Sequence, residues 1–296
     1  MAGELDQEQL RALAAAVSEG TFEAAARALQ ITPSAVSQRI RALEERTGRV
    51  LLRRSKPVTP TESGTVLLRA ARQLEVIAAD VWEQLGGDRA GGIVVCLAVN
   101  ADSLATWLLP ALAAVASELS LDLRRADQLH TAELLRDGSV VAAVTAAREP
   151  LPGCTSTPLG VMRYRACAAP AFLARWLPSG PSAEALAQAP VVIFDRQDQL
   201  QDAYLRGRCR RPVSPPRHHI PGSGAFVSAI ELGIGWGMVP DLQSAHPLRR
   251  GSLVSFDDRH PIDVPLYWQQ SRLRSDSLDR VARAVQAAAA ASLIAG

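Results

Sequence analysis

Apolar residues recur along this chain in two rhythms, and the change from one to the other divides it. Up to about residue 85 the rhythm is helical. Leu10, Leu13 and Val17 form the inward stripe of a first helix expected over Asp6–Ser18, with Asp6 and Gln9 spaced as a capping box and Gly20 as its stop. Thr21 caps a second, short helix. Its Ala24, Ala25 and Ala26 are small enough for close helix approach, and Leu29 and Ile31 anchor the turn that follows. Thr32-Pro33 restarts a third helix, because proline at the first helical position gives up an N–H that would be unpaired anyway. Val36, Ile40 and Leu43 share its buried face, and Gly48 closes it. Arg49 to Val58 then reads as a β-hairpin wing, with Leu51 and Leu52 docking on the helices.

Thr61 caps a long helix running to about Leu85. Leu67, Ala71, Leu74, Ala78, Val81 and Leu85 alternate spacings of four and three. That is a 3.5-residue period, which points to a seam between two helices and hence to a homodimer. Gly86-Gly87 and Gly91-Gly92 mark a joint. Beyond it the rhythm changes to short apolar runs alternating with helical stretches. Strands are expected at 93–99, 121–125 and 140–145, a loop at 150–158, the beginning of a second α/β lobe at 161–168, and further strands at 191–194, 236–239 and 264–268. Helices are expected from Asn100 to about Leu119, then at 131–136, 200–205, 225–232 and 275–292, with a proline-rich connection at 211–221. This is α/β architecture in two lobes, one that suits a hinged small-molecule receptor.

The polar face of the third helix gives the first chemical clue. Thr32, Pro33, Ser34, Ser37, Gln38 and Arg41 stand opposite the apolar face, and such side chains reach phosphates and base edges. From Arg39 to Lys56 there are seven basic residues (39, 41, 46, 49, 53, 54 and 56) against two acids, Glu44 and Glu45. The whole chain nets only +2, so the excess is local, as expected of a surface for a polyanion. A helix-turn-helix that places its second helix in the major groove of double-stranded DNA follows, with Arg53, Arg54 and Lys56 of the wing on phosphates.

Composition adds little beyond class. At 296 residues, 48% hydrophobic and 21% charged, the chain has the length and apolar content for two or three domains. The four cysteines are scattered and lack metal or redox spacing, which suggests free thiols in a reducing compartment. The acidic N-terminus does not read as a signal peptide, and no apolar run is long enough to span a membrane, so a cytoplasmic protein is expected. His218 and His219, adjacent on a strand, point to opposite faces, and neither a metal nor a cofactor is expected. No nucleophile elbow, phosphate loop or dinucleotide motif is present.

A ligand of an open α/β sheet binds beyond the carboxyl ends of its strands. The residues there are Asn100, Ala101, Asp102 and Ser103, then Asp127, Thr145 and Asp195, with Ser223 in the turn before a helix. Each alone reads equally well as a helix cap or loop acid. Trp107, Trp236 and Trp268 read as core.

The segments AAARAL, ITPSAVSQRIRALEERTG, LLRRS and PTESG resemble the winged helix-turn-helix of LysR-type transcriptional regulators. The resemblance extends over the chain and implies an N-terminal all-α winged head at 1–60 and a dimerisation linker helix and hinge at 61–91. It also implies an α/β effector domain at 92–296 similar to periplasmic binding proteins. Lobe I would span about 92–161 and 267–296, and lobe II about 162–266. LAVNADSLATWLLPALA, APVVIFDRQDQLQDAYL, GIGWGMVPDLQ and VPLYWQ resemble the ArgP- and LysG-like subgroup that controls lysine and arginine export. That subgroup's acidic pair is reduced here to Ala126-Asp127. The resemblance implies a dimeric or tetrameric activator, not an enzyme, that senses lysine or arginine, with RNA polymerase a further candidate partner. A nucleoid-type protein that bends DNA without an effector, and an enzyme tethered to DNA by its head, remain the alternatives.

The division of labour on the head is testable by DNA binding across a sequence library and a salt series. Gln38→Ala should relax base preference, since a bidentate amide contact carries about 1–3 kcal/mol of discrimination. Arg53→Ala should weaken all sequences alike and reduce the salt dependence; identical behaviour of the two variants would contradict the assignment.

Overall fold

Local capping builds the head as its sequence suggests. The computed structural model describes residues 5–85, 94–125, 131–273 and 275–296. Helices α1 (Gln7–Glu19), α2 (Phe22–Leu29) and α3 (Pro33–Thr47) pack around Leu10, Leu13, Val36, Ile40 and Leu43, all buried. Asp6 Oδ1 accepts from the amides of Glu8 (2.8 Å) and Gln9 (3.1 Å). Gln9 does not reciprocate, and its Oε1 is buried without a partner, so the capping box is one-sided. Thr21 and Thr32 each accept the amide three residues on, at 3.1 Å. Gly20 and Gly48 end α1 and α3 in the left-handed region, at φ 71° and 63°. Strands β1 (Leu52–Arg53) and β2 (Thr59–Pro60) form the wing. It is held down by buried Leu51 and Leu52 and by Glu44 Oε1, which accepts the Leu51 amide at 2.8 Å.

Helix α4 (Glu62–Gln84) is shared between two cores. Leu68 and Ala71 are buried in the head core, and Leu67 packs against it. Val76 and Ala79 are buried in the main core of the C-terminal region. Buried Asp80 accepts a hydrogen bond from Ser277 Oγ. The structure therefore corrects part of the expected seam. Ala71, and largely Leu67, face their own head, and Ala78 is half-buried. Leu74, Val81 and Leu85 are exposed, as are Val66, Ile77 and Trp82, which the heptad count omitted. Strict 3.5-residue spacing cannot tell a seam from a helix that changes the face it buries midway. The glycine joint at 86–92 lies outside the described residues.

The C-terminal region follows with β3 (Val94–Val99), α5 (Ala101–Ser103), α6 (Leu109–Ala113), β4 (Ser120–Arg125), α7 (Thr131–Arg136), β5 (Ala142–Thr145), β6 (Cys154–Ala168), α8 (Pro170–Trp176) and α9 (Ala183–Gln188). Next come β7 (Val191–Ile193), α10 (Leu200–Arg208), β8 (Arg217–His219), α11 (Ser223–Glu231), β9 (Gly237–Pro240), α12 (Asp241–Arg249), β10 (Val254–Ser255), β11 (Ile262–Ser271) and α13 (Asp276–Ser292). Strand β3 lies between β4 and β5, parallel to both, as crossover helices require. Strands β6 and β11 run antiparallel through both lobes, from Ile262↔Tyr164 to Ser271↔Cys154, with a register irregularity between Leu266 and Tyr267. Strand β9 pairs with β6 in lobe II.

Three expectations change. The helix after Asn100 is not uniform to Leu119: a π-helical turn at Leu104–Leu108 separates α5 from α6. That turn ends two residues before Pro110, which has no N–H to donate and whose ring crowds the preceding turn. The loop expected at 150–158 is strand from Cys154 onward, because Thr155, Ser156 and Thr157 pair with β11 although their polarity gives no apolar signal. The connection at 211–221 contains β8, with His218 and His219 exposed. Helices α8, α9 and α12 were not anticipated. The four cysteines are free and buried; burial pushes Cys96 up to about 11 and Cys167 to about 12, so both stay thiols near neutrality.

Gly64 tests how wing and linker meet. Thr61 Oγ1 accepts the Gly64 amide at 3.1 Å and donates to Val50 O at 2.7 Å, and a Cβ on Gly64 would overlap the Leu51 carbonyl. Gly64→Ala should destabilise the head by about 1–3 kcal/mol, the usual cost of overpacking. Hydrogen exchange of head amides in urea reads this; unchanged protection would contradict the tight junction.

Candidate functional site

Two surfaces carry the candidate chemistry. On the head, Thr32, Pro33, Ser34, Gln38 and Arg41 are exposed along α3, and Ser37 is half-buried. Arg53, Arg54 and Lys56 are exposed on the wing, and the Arg54 guanidinium carbon sits 5.8 Å from the centre of the Phe22 ring. Arg39 is drawn away from this face by Glu8, at 3.0 Å. These residues form one basic, polar strip over an apolar core, the form that a DNA major groove admits.

The second surface is a cleft of about 390 Å³ between the lobes, in the size range of small-molecule sites. Lobe I lines it with Asn100, Ala101 and Asp102, beyond the end of β3, and with Arg125 at the end of β4. Lobe II contributes Asp195 and Asp198 from the turn after β7, Arg206 from α10, and an apolar wall that includes Phe194, Phe226 and Met238. Asp102 Oδ2 accepts the Tyr164 hydroxyl at 2.8 Å, and Oδ1 accepts the Ser223 hydroxyl at 2.6 Å. Gln243 Nε2 donates to the same Ser223 oxygen at 2.7 Å. A lobe I carboxylate is thus tied to lobe II through α11. Asp198 accepts the amides of Phe194 (3.1 Å) and Leu200 (3.0 Å), and Asp195 accepts those of Gln197 (2.8 Å) and Asp198 (3.0 Å). Asn100 Oδ1 caps α5 through the Ser103 amide at 2.7 Å, leaving its buried Nδ2 without a partner.

Desolvation in the cleft raises both Asp102 and Asp198 above the ordinary carboxylate range. Their hydrogen bonds only partly offset this, and the charge of Asp102 adds to the effect on Asp198. A positive charge placed beside these two carboxylates would stabilise their ionised form.

Of the residues expected at strand ends, Asn100, Ala101, Asp102 and Asp195 line the cleft. Ser223 does not line it but holds Asp102. Two expectations are corrected. Ser103, the last residue of α5, is fully buried. Thr145 is also fully buried; its Oγ1 accepts the Ala147 amide at 3.1 Å, and Gln269 Nε2 pins the turn above it through Ala147 O and Glu149 O, both at 2.8 Å. Asp127 lies outside the described residues. Sequence reasoning missed Arg125, Phe194, Asp198, Arg206, Phe226 and Met238. A signal existed for Asp198, in the acidic turn that follows an apolar strand run.

Residues 7–65 match the bacterial regulatory helix-turn-helix family described as lysR, and residues 90–290 match the LysR substrate binding domain. The chain belongs to the LysR family of transcriptional regulators. It is 44% identical over 287 residues to the HTH-type transcriptional regulator LysG of Mycobacterium tuberculosis, covering 97% of this chain and 94% of that one. The crystal structure of ArgP from M. tuberculosis superposes with a TM-score of 0.85 at 43% identity, covering 99% of this chain and 100% of that one. Full-length LysG from Corynebacterium glutamicum with bound effector Arg gives 0.75 at 41% identity, covering 98% and 100%. In this LysR-family chain the basic strip lies within the matched helix-turn-helix domain, and the cleft lies within the matched substrate-binding domain. Among the described residues no helix is long and apolar enough to cross a membrane.

The raised carboxylates make a signed prediction for any cationic ligand of the cleft, checked by calorimetry in buffers of different ionisation enthalpy. Cation binding selects ionised Asp102 and Asp198, facing Asp195, Arg125, Arg206 and the Tyr164 hydroxyl. Affinity should be greatest above the raised values and fall as pH drops through them towards the ordinary carboxylate range, with protons released on binding in that window. Binding without proton release across that window would contradict the assignment.

Proposed function

We propose that this regulator senses a basic amino acid, arginine or lysine, in the interlobe cleft and adjusts its hold on operator DNA accordingly. The observation that carries the reading is the charge of the lining. Three carboxylates (Asp102, Asp195, Asp198) face two guanidinium groups (Arg125, Arg206), so the side chains net −1 when ionised. Arginine or lysine carries two positive groups and one negative, a net of +1, and matches that imbalance; a neutral amino acid leaves one carboxylate uncompensated. Asp198 and Asp102 are suited to the cationic groups of the ligand, and Arg125 and the unpaired Asn100 Nδ2 to its α-carboxylate. The solved structure of LysG of C. glutamicum, 41% identical, has bound effector Arg, which supports the same class of effector.

In this reading residues 1–60 bind DNA, 61–91 link, and 92–296 sense, with lobe I at about 92–161 and 267–296 and lobe II at about 162–266. Thr32, Pro33, Ser34, Ser37, Gln38 and Arg41 approach bases, and Arg53, Arg54 and Lys56 bind phosphates. The exposed apolar face of α4, from Val66 through Leu74, Ile77, Val81 and Trp82 to Leu85, pairs with a second copy. Two heads then meet a duplex on one side, their recognition helices about 34–36 Å apart. A homodimer or homotetramer, contact with RNA polymerase and a cytoplasmic location belong to the same reading. So does control of an amino-acid exporter gene, with no catalytic step.

Calorimetry of the full chain with arginine, lysine, histidine and leucine tests the effector. Arginine or lysine should bind and leucine should not, and Asp198→Asn should weaken binding roughly tenfold or more, about 1.4 kcal/mol. DNA binding that ignores all four amino acids would support the effector-independent alternative instead.

A further inference from the structure

Two consecutive arginines at the end of β4 serve different parts of the molecule. Arg125 lines the cleft, its guanidinium carbon 6.0 Å from the centre of the lobe II Phe194 ring. Neighbouring residues of a strand point to opposite faces, so Arg124 turns away from the cleft. It meets the head instead: Arg124 Nη2 donates to Ser18 Oγ at 3.0 Å. Arg72 of the linker helix donates to the same hydroxyl. Asp122 Oδ2 steadies Arg124, at 3.4 Å from Nε and 3.2 Å from Nη2.

Ser18 lies in the last turn of α1, where the carbonyl end of a helix attracts positive charge, and α1 has no basic residue of its own there. The linker and lobe I therefore supply from outside the charge that the helix end lacks. Helix α1 in turn shares its buried face with α3, through Leu10 and Leu13 against Val36 and Ile40. Strand β4 is paired with β3 along its length, Ala98 opposite Arg124 and Val99 opposite Arg125, so its end moves as one piece.

We propose that Arg124 is a positioning residue that couples occupancy of the cleft to the orientation of the DNA-binding head. A ligand that draws Phe194 and Arg125 together shifts the end of β4. Arg124 passes that shift to the Ser18 end of α1, and α1 passes it to the recognition helix. This coupling rests on the reading of the cleft as the effector site, whereas the docking of Arg124 on α1 does not.

Hydrogen exchange of the full chain, read at the C-terminal half of α1 with and without arginine, tests both parts. Without ligand, Arg124→Ala should raise exchange there about tenfold, because that helix end loses one of the two arginines that hold it from outside. Ser18→Ala, which removes the acceptor from the other side, should do the same, and Arg124→Lys, which keeps the charge, should restore part of the protection. With arginine, the wild type should change its α1 exchange. Arg124→Ala should lose that change while binding arginine within about threefold of the wild type, as a residue outside the cleft should. Wild-type exchange in Arg124→Ala overturns the docking. A ligand response in α1 that survives the substitution overturns the coupling, as does loss of arginine binding together with the response. If the wild type itself fails to bind arginine, the effector reading fails, and the ligand-free comparison still decides the docking.

Discussion

Helix α4 belongs to two hydrophobic cores at once, and the arrangement of the molecule depends on that. Its 23 residues span about 34 Å. The first half completes the head core with Leu68 and Ala71, and the second half enters the effector-domain core with Val76 and Ala79. Burying opposite ends of one stiff helix in two cores ties their positions together, because interiors packed to crystal density do not yield continuously. The buried bond between Asp80 and Ser277, and the arginines that converge on Ser18, reinforce the same junction. Rotation about α4 is thereby limited to discrete repackings, the kind of change on which a two-state regulator depends.

The cleft works on an opposite principle. Asp102 and Asp198 stand in a desolvated space, each harder to ionise than a free carboxylate, and the unpaired Asn100 amide adds an unused donor. The cost is tolerable because each carboxylate keeps hydrogen bonds that hold its geometry, Asp102 from Tyr164 and Ser223, Asp198 from two backbone amides. The proposed cationic effector would meet carboxylates already held in place, so its affinity would come from preorganisation as much as from new contacts.

Legibility in the sequence follows the range of the interaction involved. The caps at Asp6, Thr21 and Thr32 act over two or three residues, and the structure has each where the sequence reading put it. The face of α3 that carries Ser34, Gln38 and Arg41 follows from the spacing of Val36, Ile40 and Leu43 in the same way. In the effector domain the apolar runs identified most strands, but polar Thr155–Thr157 became strand only because β11 lies beside it. Of the seven described residues expected at the cleft, four line it. Thr145 does not, since Gln269, more than a hundred residues away, closes the turn over it. Arg125, the Phe194–Asp198 turn and Phe226 come from separate elements, and nothing in the local sequence says that these elements converge.

The sequence alone therefore determined a capped three-helix head with a basic wing, a long helix behind it and an α/β region after that. Helical periodicity and capping are relations between near neighbours in the chain, and those relations survive without a fold. Tertiary structure decided which stripe of α4 is buried and which is bare, and that Asp102 reaches Ser223, 121 residues further on. It also decided that adjacent Arg124 and Arg125 look towards the head and the cleft respectively. Those outcomes depend on how separately formed elements pack, and packing distances are not written in the spacing of residues along the chain.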